Sequence, residues 1–270
     1  MTDLDLIQAT VLAILQGLTE FLPVSSSAHL ILPAALLGWQ DQGLAFDVAV
    51  HLGTLFAVIA YFRRDLLAIT RGMLLQVTRG EVCAEARLGW QLVIATIPVV
   101  VGGFLLKDVV ETLLREVWVL TATTLVFALL LWLADLKPAS GASMQALSWR
   151  TVLIIGLAQV MALVPGTSRS GITTTAALFC GLDRTAASRF SFLLSIPVIA
   201  GAALLLILDL LQQSTVDWGG LLYALVVALL TALACIHWFL GIIARIGFLP
   251  FVIYRLLLGL VLLFGVVLRG

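Results

Sequence analysis

The chain has 270 residues, 62% of them hydrophobic and 11% charged, whereas an average soluble domain is about 25% charged. One globular core of this length cannot hide so much apolar surface, but a bilayer can. Fifteen basic residues balance fifteen acidic ones, so nothing points to a nucleic-acid partner, and Cys83, Cys180 and Cys235 are too few and too scattered for a disulfide framework or a zinc site.

The N-terminus, Met-Thr-Asp-Leu-Asp, carries no basic stretch, so the first apolar run is expected to belong to the mature fold. That run, 6–37, is interrupted near its middle by Gln16-Gly-Leu-Thr-Glu20-Phe-Leu-Pro23-Val-Ser25-Ser26-Ser27-Ala-His29. Proline removes a helical donor and pushes the preceding residue out of the α region. The region therefore reads as helix, break, helix: a re-entrant hairpin, with a tilted and kinked single span as the alternative. Apolar spans of the required ~20 residues follow at about 44–62, 88–106 and 117–134. Between the first two, 63–87 holds Arg63, Arg64, Arg71, Arg79 and Arg87 against three acids and reads as a cytoplasmic loop.

A second interrupted region, 150–182, contains Gln159-Val-Met-Ala-Leu-Val-Pro165-Gly166-Thr167-Ser168-Arg169-Ser170-Gly171-Ile-Thr173. It reads as a second re-entrant hairpin, loosened by Gly166 and Gly171. Spans at about 186–208, 218–240 and 249–268 complete the chain. Counting from the cytoplasmic 63–87, the stretches 107–116 and 209–217 fall outside, 135–149 and 183–185 inside, and both termini outside. Asp135, Asp183, Asp209 and Asp217 fall at span ends and read as solvated. The expected architecture is an all-α integral membrane protein with six transmembrane helices and two hairpins in a single membrane domain, 1–270. Its halves, about 1–135 and 150–270, form an inverted-topology repeat of the kind found in transport folds.

Irregular backbone at membrane depth is tolerated only where protein buries it or a wet cavity solvates it. Ionisable side chains there are costly and functional by default. Glu20, His29 and Arg169 all stand at or beside the breaks. The helix after each break opens with hydroxyls, Ser25, Ser26 and Ser27 in one, Thr167, Ser168 and Ser170 in the other. A helix N-terminus attracts anions, and Arg169 adds a fork that matches phosphate oxygens. The set suits a pyrophosphate better than a carboxylate. Gln16 and Glu20, four residues apart, share a helix face, and a carboxylate beside a pyrophosphate calls for a bridging divalent cation, Mg²⁺ or Ca²⁺. Ser26 and His29, three apart, can approach one phosphorus atom as nucleophile and acid/base. Thr174 and Thr175 fit helix-packing contacts, as does Ser27, which is retained among the head-group ligands as part of its hydroxyl run. His51 and His237 lie on apolar spans without a nameable partner and read as structural.

At these residues the sequence resembles the undecaprenyl pyrophosphate phosphatase family, the bacitracin-resistance membrane proteins of bacteria. The (E/Q)xxxE stretch, FLPVSS and a nearby His are present as Gln16 to Glu20, Phe21 to Ser26 and His29, and PGxSRSxxT runs from Pro165 to Thr173. The resemblance spans essentially the whole chain. It implies hydrolysis of a polyprenyl pyrophosphate lipid to its monophosphate, recycling the carrier for peptidoglycan. It also implies divalent-cation dependence, residence in the bacterial inner membrane and a site open toward the periplasm. Carried over by motif, Glu20 organises the metal with Gln16, and Arg169 binds the pyrophosphate. Ser26 and His29 compete for the attacking role, and Ser25, Ser168, Ser170 and Thr173 bond phosphate oxygens. Three departures stand out: Gln16 at the first acidic position, Ser27-Ala28 for the usual Thr-Gly, and His51 where Gln is expected. A head-group flippase using the same pocket is the competing reading, and homo-oligomerisation is left open.

Overall fold

A computed structural model describes residues 6–106, 109, 110, 112, 114, 116–139, 144, 147–210 and 217–269, with 34–36, 206–210 and 265–269 described by backbone only. The described residues form helices and turns, with no strand among them. The first interrupted region is α1, Leu6–Thr19, and α2, Ser26–Leu37. Then come α3, Gly43–Tyr61; α4, Arg63–Arg79; α5, Ala84–Leu105; and α6, Val117–Asp135. The second interrupted region is α7, Trp149–Val160, a 3₁₀ turn at Met161–Leu163, and α8, Arg169–Phe179. Three long helices close the chain: α9, Arg184–Leu210; α10, Trp218–Ile246; and α11, Leu249–Arg269.

All six expected spans are therefore helices. Five of them, α3, α5, α6, α9 and α10, are long and apolar enough to cross a membrane by length and composition. Large apolar side chains such as Phe104, Leu204, Leu222 and Leu230 are exposed on their outer faces, which suits a lipid solvent and not water. At 1.5 Å per residue, the arms α1 and α2 reach only about 21 and 18 Å, short of the ~30 Å hydrocarbon core.

Two expectations need correction. The stretch 63–87 contains a helix, α4, because Leu66, Ile69 and Met73 recur at helical spacing and pack on α5, with Met73 against Gly89. Its Asp65 accepts from Arg189 of α9 at 2.8 Å. Nor is Asp135 solvated. Its side chain is 7% exposed, bonded to Arg184 Nε at 2.6 Å and to the Phe248 backbone N–H at 3.0 Å, and so ties α6 to the starts of α9 and α11. Asp183 and Asp217 instead cap α9 and α10 by accepting from the Ala186 and Gly220 N–H groups. The loops 107–116, 135–149 and 209–217 lie partly outside the described residues, as do the side chains of Asp209 and Arg269.

The site is positioned by close helix packing. Gly17 of α1 lies so near α10 that a Cβ there would stand 2.7 Å from Thr231 Cβ and 2.8 Å from the Ala228 carbonyl. Gly156 of α7 lies equally near α5, where a Cβ would stand 2.7 Å from the Ala95 carbonyl. Each hairpin's first arm thus leans on a long helix from the other half of the chain.

Candidate active site

A proline stands in each break. Leu22 and Val164 each precede a proline, which disfavours the helical conformation, and Val164 is extended at φ −82, ψ 122. The next helix then starts from a serine forced into positive φ: Ser25 at φ 74, ψ 95 and Ser168 at φ 69, ψ 112. These are the non-glycine residues of positive φ among those described. Such conformations cost of order 1–3 kcal/mol and persist where the surroundings enforce them. The two N-termini nevertheless differ. Ser168 Oγ accepts from the Gly171 N–H at 3.1 Å and caps α8, whereas no side chain caps α2. The first turn of α2 is the one whose N–H groups stay available to an anion.

The breaks meet. Arg169 Nη2 donates to Glu20 Oε1 at 2.8 Å. The other carboxylate oxygen, Oε2, accepts from Ser26 Oγ at 2.8 Å and from Gln16 Nε2 at 2.9 Å. Ser170 Oγ donates to the Leu22 carbonyl at 2.9 Å, joining one break to the other. Beside this pair opens a cavity of about 430 Å³ lined by Glu20, Ser25, Ser26, Ser27, Ser168 and Arg169, with Asp47 and His51 of α3 and apolar residues of α5 and α9. Six of the expected residues therefore share one wall. Gln16 is fully buried behind Glu20, and its Oε1 lacks a partner.

Other expected ligands point elsewhere. Thr173 Oγ1 donates to the Arg169 carbonyl at 2.8 Å and lies 2.7 Å from Ser191 Oγ, buried at the α8–α9 contact. Thr167 is fully buried, and its Oγ1 has no partner. His29 is turned away from the cavity. Its Nδ1 lies 2.7 Å from the Ser25 carbonyl and its Nε2 lies 2.6 Å from Tyr254 Oη, over which the ring is stacked. A carbonyl only accepts, so Nδ1 carries a proton, and in the neutral ring Nε2 accepts a hydrogen bond from the tyrosine hydroxyl. Both nitrogens are occupied in holding the first break.

Two residues have roles the sequence reading missed. His51, read as structural, lines the cavity with Nε2 at 3.9 Å from Glu20 Oε2. Arg255 of α11 is fully buried and holds carbonyls of both breaks. Its Nη1 donates to Pro23 at 3.3 Å and Thr167 at 3.0 Å, its Nη2 to Gly166 at 2.8 Å, and its Nε to Thr124 of α6 at 3.3 Å. A charged residue flanked by Tyr254 and Leu256 in an apolar span was the available signal.

Among the described residues no group of three or more His, Cys, Asp or Glu could hold a metal ion. The oxygen donors at the site are Glu20, the orphaned Gln16 Oε1 and, on the cavity wall, Asp47. Such a set fits a cation that takes the rest of its shell from water and phosphate, as Mg²⁺ commonly does.

The family described as bacitracin resistance protein BacA matches residues 9–261. The undecaprenyl-diphosphatase of Teredinibacter turnerae is 56% identical over 264 residues, covering 97% of this chain and 100% of the relative. The undecaprenyl-diphosphatase 1 of Pseudoalteromonas translucida is 51% identical over 257 residues, 95% of this chain and 97% of the relative.

Proposed function

Because the chain belongs to the bacitracin resistance protein BacA family, we infer that it is a membrane phosphatase that hydrolyses undecaprenyl diphosphate to the monophosphate and phosphate. The observation that carries the reading is the Glu20–Arg169 pair at the cavity wall, with Ser26 bonded to the same carboxylate. The terminal phosphate lies against the open N-terminus of α2 and the remaining donors of Arg169, which offset the charge that builds up in the transition state. Ser26 Oγ, aimed by its hydrogen bond to Glu20 Oε2, attacks the terminal phosphorus, and its proton passes to the departing monophosphate. The bond from that phosphorus to the bridging oxygen breaks, and the lipid monophosphate leaves. Water then hydrolyses the phosphoserine. Support for Ser26 over His29 lies in their settings: Ser26 faces the cavity on a carboxylate, while both nitrogens of His29 are taken.

A divalent cation held by Glu20 and Gln16 would neutralise phosphate charge. The residues of this chain orient the head group and aim the serine hydroxyl. The hairpins are re-entrant and the halves are inverted copies. The matched serine conformations and the reciprocal packing of α1 on α10 and α7 on α5 support this. The cavity is lined by the beginning of α3 and the later parts of α5 and α9. With Arg63, Arg64, Arg71 and Arg79 on the cytoplasmic side, those segments and both termini face the periplasm.

Purified protein in liposomes, given undecaprenyl diphosphate, should release phosphate and accumulate the monophosphate, with release stopped by chelator and by Arg169→Ala. Lipid crossing the bilayer without phosphate release would replace the hydrolase with a flippase.

A further inference from the structure

His51 stands one turn after Asp47 on α3, on the cavity wall, and the reaction as described makes no use of it. Its Nδ1 lies 2.7 Å from the Asp47 backbone carbonyl. That oxygen only accepts, so Nδ1 carries a proton toward it, and in the neutral ring Nε2 presents its lone pair. The lone pair is presented beside Glu20, with Nε2 at 3.9 Å from Oε2. Ligands of one small divalent ion, each about 2.0–2.2 Å from it, stand at most about 4.4 Å apart, so the 3.9 Å gap admits an ion. A metal-bound imidazole is usually held in this way, with its far N–H on a carbonyl or carboxylate. Separately, Gln16 bonds the same Glu20 oxygen through Nε2 and leaves its buried Oε1 without a partner.

We propose that His51 is a ligand of the divalent cation together with Glu20, so that the ion lies between an imidazole nitrogen and a carboxylate oxygen. This rests on the divalent-cation reading above and adds a ligand and a class of ion. Ca²⁺ takes oxygen ligands, whereas imidazole suits first-row transition ions. The site therefore favours a transition ion over Ca²⁺. The described side chains do not close the shell alone, so water and phosphate oxygens complete it, and the ion binds together with the head group.

Electron spin-echo measurements on purified protein with Mn²⁺ and inorganic pyrophosphate test the assignment without reference to turnover. The wild type should show ¹⁴N modulation from a coordinated imidazole. His51→Gln, matched for melting temperature, should lose that modulation and bind Mn²⁺ about tenfold more weakly or worse. Mn²⁺ bound without nitrogen modulation, or with modulation that persists in His51→Gln, would overturn the ligand assignment and leave the cation reading standing. No Mn²⁺ binding even with pyrophosphate would overturn both.

Discussion

Glu20 and Arg169 are separated by 149 positions in the chain and meet at 2.8 Å with little exposure to solvent. Removing one partner of a buried ion pair leaves an uncompensated charge and commonly costs about 3–5 kcal/mol. Variants at either position should therefore be judged by stability as well as rate. Ser26 is cleaner, because Ser26→Ala removes one hydroxyl from a half-buried residue. Turnover should vanish while binding of the lipid head group persists; near-normal turnover would pass the attack to His29 or to water. Glu20, Ser26 and Arg169 were legible because each sits in a run of polar residues that a lipid-facing helix would not carry. His51 was not. Asp47 and Thr54 are its polar neighbours within a turn on α3, but its partner, Glu20, comes from a different element, so the helix alone did not show its place at the cavity. For His29 the i, i+3 spacing to Ser26 was legible, but its partner Tyr254, 225 positions later, was not.

The breaks are where element and chemistry join. Proline and hydropathy located them from sequence, but not what holds them in place. Arg255 satisfies carbonyls of Pro23, Gly166 and Thr167 that no helix can pair. Arg255→Met keeps much of the volume and strands those acceptors, at about 1–3 kcal/mol for each buried group left unpaired. The expected result is a lower melting temperature with loss of turnover, and an unchanged melting temperature would contradict the anchoring role. Helix α4 was hidden by its arginines, which drew attention to charge when the Leu66, Ile69, Met73 spacing was the structural signal. Gly53 presses α3 onto the Leu225 backbone of α10, where any Cβ collides. Overpacking of this kind costs about 1–3 kcal/mol, so Gly53→Val should lower the melting temperature measurably in detergent.

At the scale of the molecule, composition decided the solvent and the interrupted helices decided the plan. The reciprocal contacts, α1 on α10 and α7 on α5, could not be read from sequence, because small residues such as Gly17 and Gly156 mark close approach without naming the partner. An inverted repeat places the two hairpins on opposite sides of the membrane. In a background without Cys83, Cys180 and Cys235, Gln40→Cys, between α2 and α3, and Arg150→Cys, at the start of α7, should react with impermeant reagent from opposite sides. Labelling from the same side would refute the inversion. The central claim is that the two breaks act as one site, and a double-mutant cycle at Glu20 and Arg169 with undecaprenyl diphosphate tests it most directly. Glu20→Gln and Arg169→Ala should each lower kcat/KM by at least ~10²-fold, and the double variant should be scarcely worse than either, as for groups that act as a unit. Losses that multiply in the double variant, or a single variant within a few-fold of wild type, would contradict it.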